Sequence, residues 1–417
     1  MTEPVPSRPI PNVRAVLAVT LCGVCAFLLL YCTQPLLPLL ADIFHASKTG
    51  VGLTVSAATL GVALSAPVFG ALTERLPRKQ VIVWSIVGIS VPALLAATSH
   101  SLAELVFWRF LQGVTLPGIY AVVVTYIGEE WPAHRVALVM SFYVSGTALG
   151  GFLGRLLSGF LAEAYSWRMS FVALGAFSLL GAAAVAAWLP GGTPRAELLA
   201  RAREEALSSS PLPTTYRVQE LLRNRRLIAT FAVGFNVLFS LVGVFTWITF
   251  HLAAPPFSLG AAALSSLFFV YLIGLVITPA AGYLITRVGL RAGISGAIVF
   301  SMIGVLLTLA PSLIAVIAGL TLLSSGVFVA QTASQTHLRV ASPPEARVTA
   351  AGLYLTCYYL GGTAAGVLPG IFWAIGKWPA CVAFILCMQA LALTIALIGW
   401  RTPAVPLTKP IPANPEA

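Results

Sequence analysis

Twelve apolar runs, each about as long as a helix that crosses a hydrocarbon layer, leave this chain one kind of environment. A crossing takes roughly 20 such residues. The runs lie near positions 15–40, 50–72, 81–98, 102–127, 136–162, 168–190, 227–253, 261–286, 291–310, 312–338, 347–375 and 377–400. Only 9% of the residues are charged and 58% are hydrophobic, against about a quarter charged in an ordinary soluble protein. Lipid must therefore cover most of the 417 residues. The runs are too long and alternate too little for a transmembrane β-barrel. Met1–Pro11 is polar and proline-rich, and the run behind it shows no small-residue cleavage site, so it is expected to stay as a first helix.

Orientation follows from the basic residues. Nineteen of the 24 Lys and Arg fall in one set of connections, while Lys48, Arg168 and Lys377 lie on the opposite side. The remaining two, Arg109 and Arg155, fall inside runs. Such a bias places the arginine-rich connections and both termini in the cytoplasm and requires an even number of spans. The net charge of +11 is then topology, and no nucleic-acid partner is expected. The expected organisation is a tail over 1–14, a six-helix bundle over 15–190, a linker over 191–226, a second six-helix bundle over 227–400 and a tail over 401–417. Within the linker, Ala196–Leu207 reads as a candidate surface helix at the lipid headgroups.

The two bundles are copies. Pro67, Gly70, Leu72, Arg75 and Lys79 stand 212 positions before Pro279, Gly282, Leu284, Arg287 and Arg291. The same 212 separates Pro132, Arg135, Gly150 and Gly154 from Pro344, Arg347, Gly362 and Gly366. Two similar halves can rock about a central axis and open a midplane cavity to each side in turn. That is the architecture of a transporter.

Three motifs carry a family resemblance. The run Gly70-Ala71-Leu72-Thr73-Glu74-Arg75-Leu76-Pro77-Arg78-Lys79 resembles the loop signature of the major facilitator superfamily, with Glu74 where Asp is usual and Pro77 where Gly is usual. Arg109-Phe110-Leu111-Gln112-Gly113 is similar to the fourth-span motif of that family. Gly146-Thr147-Ala148-Leu149-Gly150-Gly151-Phe152-Leu153-Gly154 is similar to its fifth-span antiporter motif, but has Gly151 for the proline and Arg155 for a small residue. Tyr31-Cys32-Thr33-Gln34-Pro35-Leu36-Leu37-Pro38 further resembles bacterial sugar-efflux and drug-efflux permeases. The resemblance implies twelve transmembrane helices in two pseudo-repeated bundles, proton-coupled efflux, a monomer and the bacterial inner membrane.

The same resemblance implies a cytoplasmic gate at Gly70, Glu74, Arg75, Arg78, Lys79, Glu129, Glu130, Arg287 and Arg291. Arg75 or Arg78 would pair with Glu129 or Glu130, and Glu74 would face the start of span 11. Gly146, Gly150 and Gly154 are the helix-packing motif. Arg109 is the expected substrate or coupling residue. An intramembrane Arg costs roughly 2.5–3.5 kcal/mol on insertion scales and so faces a cavity or a partner; snorkelling to the outer interface is the competing reading. Gln112 shares its helical face. Arg155 is read as snorkelling with Glu163 as partner, and otherwise as a second positive charge in the cavity. Spans 1, 4, 7 and 10 line the cavity in the resembling family, which nominates Tyr31, Gln34, Asn236, Trp247, Gln331 and Gln335, with Tyr354 and Tyr358 on span 11. The bland alternative for the amides is hydrogen-bonded glue between helices.

None of the thirteen acidic residues falls at mid-membrane, which tilts the substrate towards neutral, sugar-like or anionic solutes and away from organic cations. A uniporter or proton symporter for an organic anion is the alternative, and a transporter-like sensor without flux the reading from another class. The six cysteines read as buried small apolar residues. The histidines are scattered, so no metal site is expected. No phosphate-binding Gly-x-x-x-x-Gly-Lys-Ser/Thr loop occurs, so neither ATP nor another cofactor is expected, and catalysis is not.

Overall fold

The structure, a computed structural model, describes residues 13–72, 76–191, 218–343 and 346–400. The candidate surface helix, most of the linker, the tail residues 1–12 and 401–417, and Glu74 and Arg75 lie outside them. Among the described residues every regular element is a helix, and the order fits twelve crossings.

Several crossings are broken rather than continuous. Span 1 is helical over Val13–Leu28, loosens, and resumes as a 3-10 turn over Gln34–Leu36 and a helix over Leu37–Ile43. Pro35 and Pro38 bring no N–H to the i→i−4 ladder, and the carbonyls of Tyr31 and Gln34 accept instead, in tighter turns, from the N–H groups of Gln34 and Leu37. Spans 2 and 3 are Lys48–Leu72 and Arg78–Ala96; span 4 is Leu102–Thr115 followed, at Pro117, by Pro117–Glu130. Ser101 caps span 4 by accepting from the Glu104 N–H (3.2 Å), and the Glu104 carboxylate accepts from the His100 N–H (3.0 Å), a reciprocal arrangement close to a capping box. Spans 5 and 6 are Ala133–Ala164 and Trp167–Trp188.

A short helix, Val218–Leu221, leads into the second bundle. Span 7, Arg225–Ala253, is capped by Asn224. Span 8 was expected as one helix; it is instead Ala261–Ser266, a 3-10 stretch Leu267–Leu272 and Ile273–Val288. Span 9, Leu290–Leu307, starts after Gly289, whose φ of 84° only glycine adopts freely. Span 10 is Leu313–Ala341, and Arg347–Gly399 divides into spans 11 and 12 at the non-helical Gly376 and Lys377.

Small residues let the helices within each bundle touch backbone to backbone. Gly146, Gly150 and Gly154 lie against the carbonyls of Thr20, Val24 and Leu28, so span 5 rides along span 1. A Cβ on Gly154 would sit 1.9 Å from the Leu28 oxygen. In the second bundle Gly361 meets the Phe235 carbonyl in the same way, joining span 11 to span 7.

Between the bundles, the contacts gather towards the arginine-poor end of the spans. Gln34 donates to Thr246 (3.1 Å), and Ser56 donates to the Thr363 carbonyl (2.6 Å). Gly52 and Gly366 approach backbone to backbone. The Lys48 ammonium stands 4.4 Å from the Trp373 ring centroid. The Glu163 carboxylate accepts from the Ala262 N–H at 2.7 Å, at the first turn of span 8. Not every cysteine is a core residue as expected: Cys387 is exposed and Cys357 half-buried on the bundle surface.

Candidate substrate site

Arg109 is fully buried, which rules out snorkelling. Its Nε donates to the Thr54 carbonyl (3.1 Å) and one Nη to the Leu29 carbonyl (2.7 Å). It also donates to the Leu30 carbonyl and to Gln112 Oε1. Leu29 and Leu30 belong to the loosened part of span 1, where carbonyls have lost their helical donors. The guanidinium supplies those donors from span 4, and the carbonyl dipoles at the end of a helix favour the positive charge. Span 4 in turn lies close to span 2, because Gly113 sits against the Ala58 carbonyl. Arg109 thus ties spans 1, 2 and 4 into one unit.

Arg155 lies elsewhere than expected. It is 3% exposed, and Glu163 is not its partner; Glu163 accepts from Ala262 instead. Arg155 Nε donates to Gln34 Oε1 (2.7 Å) and Nη1 to the Gly151 carbonyl (2.6 Å). The guanidinium carbon lies 4.5 Å from the Tyr31 ring centroid, 4.7 Å from Tyr271 and 5.0 Å from Phe268. Tyr31 belongs to the first bundle, Phe268 and Tyr271 to the second. The 3-10 geometry of Leu267–Leu272 makes this possible, because residues three apart eclipse in a 3-10 helix. Phe268 and Tyr271 therefore present both rings to one cation.

Five N–H groups leave a guanidinium. Arg155 engages Gln34 and Gly151 through Nε and Nη1, and its Nη2 makes no hydrogen bond among the described residues. The hydroxyl of Tyr271, whose ring faces the guanidinium, is buried without a hydrogen-bond partner among the described residues. Among the described residues neither Arg109 nor Arg155 touches a carboxylate, the one ion pair being Arg78–Glu129. The first bundle therefore carries two buried cations, Arg109 within it and Arg155 at its seam with the second, compensated among the described residues by dipoles and ring faces. Such an environment favours a negative or electron-rich guest.

The other nominated residues divide. Tyr31 and Gln34 join Arg155. Tyr354 and Tyr358 stack, with centroids 6.1 Å apart and planes at 26°. Trp247 is fully buried, donates to the Ala365 carbonyl (3.1 Å) and packs against Gly52 and Gly370, so it seals the bundle contact. Asn236 faces a small void inside the second bundle with Ser240, Ser301 and Gln389. Gln331 is half-buried and Gln335 exposed. Phe268 and Tyr271 escaped the sequence reading. The signal that could have found the site was Arg155 itself, a charge where the fifth-span motif has a small residue.

At the arginine-rich end, Arg78 grips Glu129 with two hydrogen bonds, Nε to Oε2 at 3.1 Å and Nη2 to Oε1 at 2.9 Å. Both residues belong to the first bundle, so the pair fastens span 3 to span 4. Lys79 and Glu130 are half-buried next to them. Gly70 lies in the last turn of span 2. Arg287 stacks on its neighbour Tyr283 at 4.4 Å, and Arg291 is exposed at the start of span 9.

Residues 19–366 match the family model of the Major Facilitator Superfamily. The chain belongs to the major facilitator superfamily. It is 32% identical over 393 residues to the inner membrane transport protein YnfM of Escherichia coli, covering 93% of this chain and 90% of that one. It is also 32% identical to the MFS-type transporter YybF of Bacillus subtilis, over 90% of each chain. Among solved structures, a bacterial homolog of the human lysosomal transporter Spinster, in an inward-facing unoccupied conformation, superposes with a TM-score of 0.75 at 16% identity, covering 92% of this chain and 96% of that one. This superfamily member is thus a multi-pass transporter of a small solute in a lipid bilayer, built on the twelve-helix fold.

Proposed function

We propose that the protein exports a small organic anion by alternating access, with Arg155 as the group that receives the negative charge. The observation that carries this reading is a buried Arg155 caged by Tyr31, Phe268 and Tyr271, whose Nη2 is unengaged and which touches no carboxylate among the described residues. An organic cation would meet repulsion here, whereas a carboxylate, sulfonate or phosphate can take a bidentate hydrogen bond from the guanidinium. The surrounding phenols suit a hydroxylated or aromatic body behind the charge.

Export is the direction assigned. An inside-negative membrane potential favours outward movement of an anion by about 2.3 kcal/mol per elementary charge per 100 mV. The rocking units are the bundles 15–190 and 227–400, joined by the linker 191–226, in a monomer with both termini in the cytoplasm of a bacterial inner membrane. The clustering of bundle contacts at the arginine-poor end supports a state closed on that side.

The test is untargeted. Inside-out vesicles with and without the protein are energised and offered a mixture of organic acids, sugars and amines, and their contents are read by mass spectrometry. Anions enriched by the protein support the reading; enrichment of amines alone rejects it. A pH dye in the same vesicles reports on drive. Proton movement triggered by the anion makes the protein a proton antiporter, as the resemblance implies, and its absence assigns the drive to the potential.

A further inference from the structure

A second feature, which shares no residue with the surroundings of Arg155, lies on the outer side of the second bundle. Between spans 7, 11 and 12 runs a lateral groove of about 400 Å³, walled by Phe231, Phe235, Leu360, Met388, Leu391 and Ile395. Its lining is apolar almost throughout. Leu222 and Ile228 stand at one end and Asn236 at the other.

The depth matches half a membrane. From Arg225 to Asn236 span 7 climbs about 16 Å at 1.5 Å per residue, close to half of a hydrocarbon core roughly 30 Å thick. The groove therefore starts at one interface and stops near the midplane, the length available to an acyl chain in a single leaflet.

Charge marks the mouth. Arg225 stands one turn before Ile228 and two before Ala232, on the face of span 7 that lines the groove. Arg223 and Arg226 flank it; all three are exposed and none forms an ion pair among the described residues. Arg347, also exposed, opens span 11 on the same side, and the acids nearest these arginines in sequence are Glu220 and Glu345. Four arginines against two acids leave this rim positive, and basic pockets between helices at this level suit anionic headgroups.

We propose that the groove binds one acyl chain of an anionic glycerophospholipid from the arginine-rich leaflet, with its phosphate on Arg225 and Arg223. The site depends on neither the substrate nor the direction assigned above. A zwitterionic lipid could lay the same chain in the groove but would bring a positive choline towards the arginines.

Native mass spectrometry of the purified full-length protein tests this, with phosphatidylglycerol and phosphatidylcholine of identical chains as probes. Wild type is expected to retain phosphatidylglycerol at least about fivefold more strongly, the effect of one arginine near a headgroup. Arg223→Gln with Arg225→Gln should bring it down to the phosphatidylcholine level; both sites are exposed, so the fold is kept. Ala232→Phe, which fills the groove, should weaken both lipids, with thermal unfolding confirming an intact protein. Equal retention of the two lipids by wild type would overturn the assignment, as would a preference that survives the double substitution. Unchanged binding in Ala232→Phe would overturn the placement of the chain in the groove.

Discussion

Gln34 donates a hydrogen bond to Thr246 at 3.1 Å, and the two residues stand 212 positions apart, the offset of the internal repeat. Each is therefore the other's counterpart in the duplicated chain. Their bond crosses the seam between bundles near the axis that relates them. The same Gln34 accepts from Arg155 at 2.7 Å. One amide thus joins the proposed anion-binding cation to the opposite bundle, so a guest that reorients Arg155 acts directly on a bundle contact.

Gln34→Glu tests that coupling. A carboxylate at this position would pair with Arg155 and neutralise it in place, competing with an anionic substrate. Anion flux should fall at least about tenfold, the scale of a close buried charge pair, with surface expression unchanged. Flux equal to wild type would remove Arg155 from the binding role.

Arg109 should behave as a clamp. Arg109→Ala leaves the carbonyls of Leu29, Leu30 and Thr54 without its donors, and each buried bond to a charged group is worth about 1.5–3 kcal/mol. A marked drop in the unfolding temperature in detergent is expected. Arg109→Lys should not restore it, because three donors on one point cannot reach acceptors spread over three helices. An unchanged unfolding temperature together with lost flux would instead make Arg109 a coupling residue.

Gly154→Val tests the seam between spans 1 and 5. A Cβ there would lie 1.9 Å from the Leu28 carbonyl oxygen, and backbone cannot yield as a side-chain tip can. Overpacking of about 1–3 kcal/mol or more follows, seen as poor expression or early thermal unfolding. Wild-type stability would contradict the packing.

Arg78 and Glu129 should couple within the first bundle. Their side chains are only 20% and 22% exposed and the contact is bidentate, so the coupling should reach about 1 kcal/mol, the upper end for pairs that water still touches. Each single substitution to Ala should destabilise slightly, and the double substitution by less than the sum. Strict additivity in this cycle would mean that the pair does not fasten span 3 to span 4.

Much of this architecture can be read in the sequence. The apolar runs set the crossings, the offset of 212 set the two bundles, and the energetic penalty on an intramembrane charge singled out Arg109. What the pattern could not show was the identity of its partners, because the carbonyls of Leu29 and Leu30 are backbone atoms without a side-chain signature. Arg155 was placed with Glu163 because eight residues bring the two onto one helical face. Eight residues are also about 12 Å along the axis, and the true partners come from span 1 and from the other bundle. Phe268 and Tyr271 were missed because span 8 reads as a uniform α-helix, while its 3-10 stretch sets their phase.

The central claim is that a negative charge on the substrate is received by Arg155. Its most direct measurement is transport in energised inside-out vesicles of one scaffold in three charge states, galacturonate, galactose and galactosamine, beside the anions enriched from the mixture, for wild type and Arg155→Gln. The account predicts that wild type moves anions in preference to the neutral and cationic forms, and that Arg155→Gln loses that preference while remaining folded. Preferred transport of the amine, or an anion preference that persists in Arg155→Gln, would contradict it.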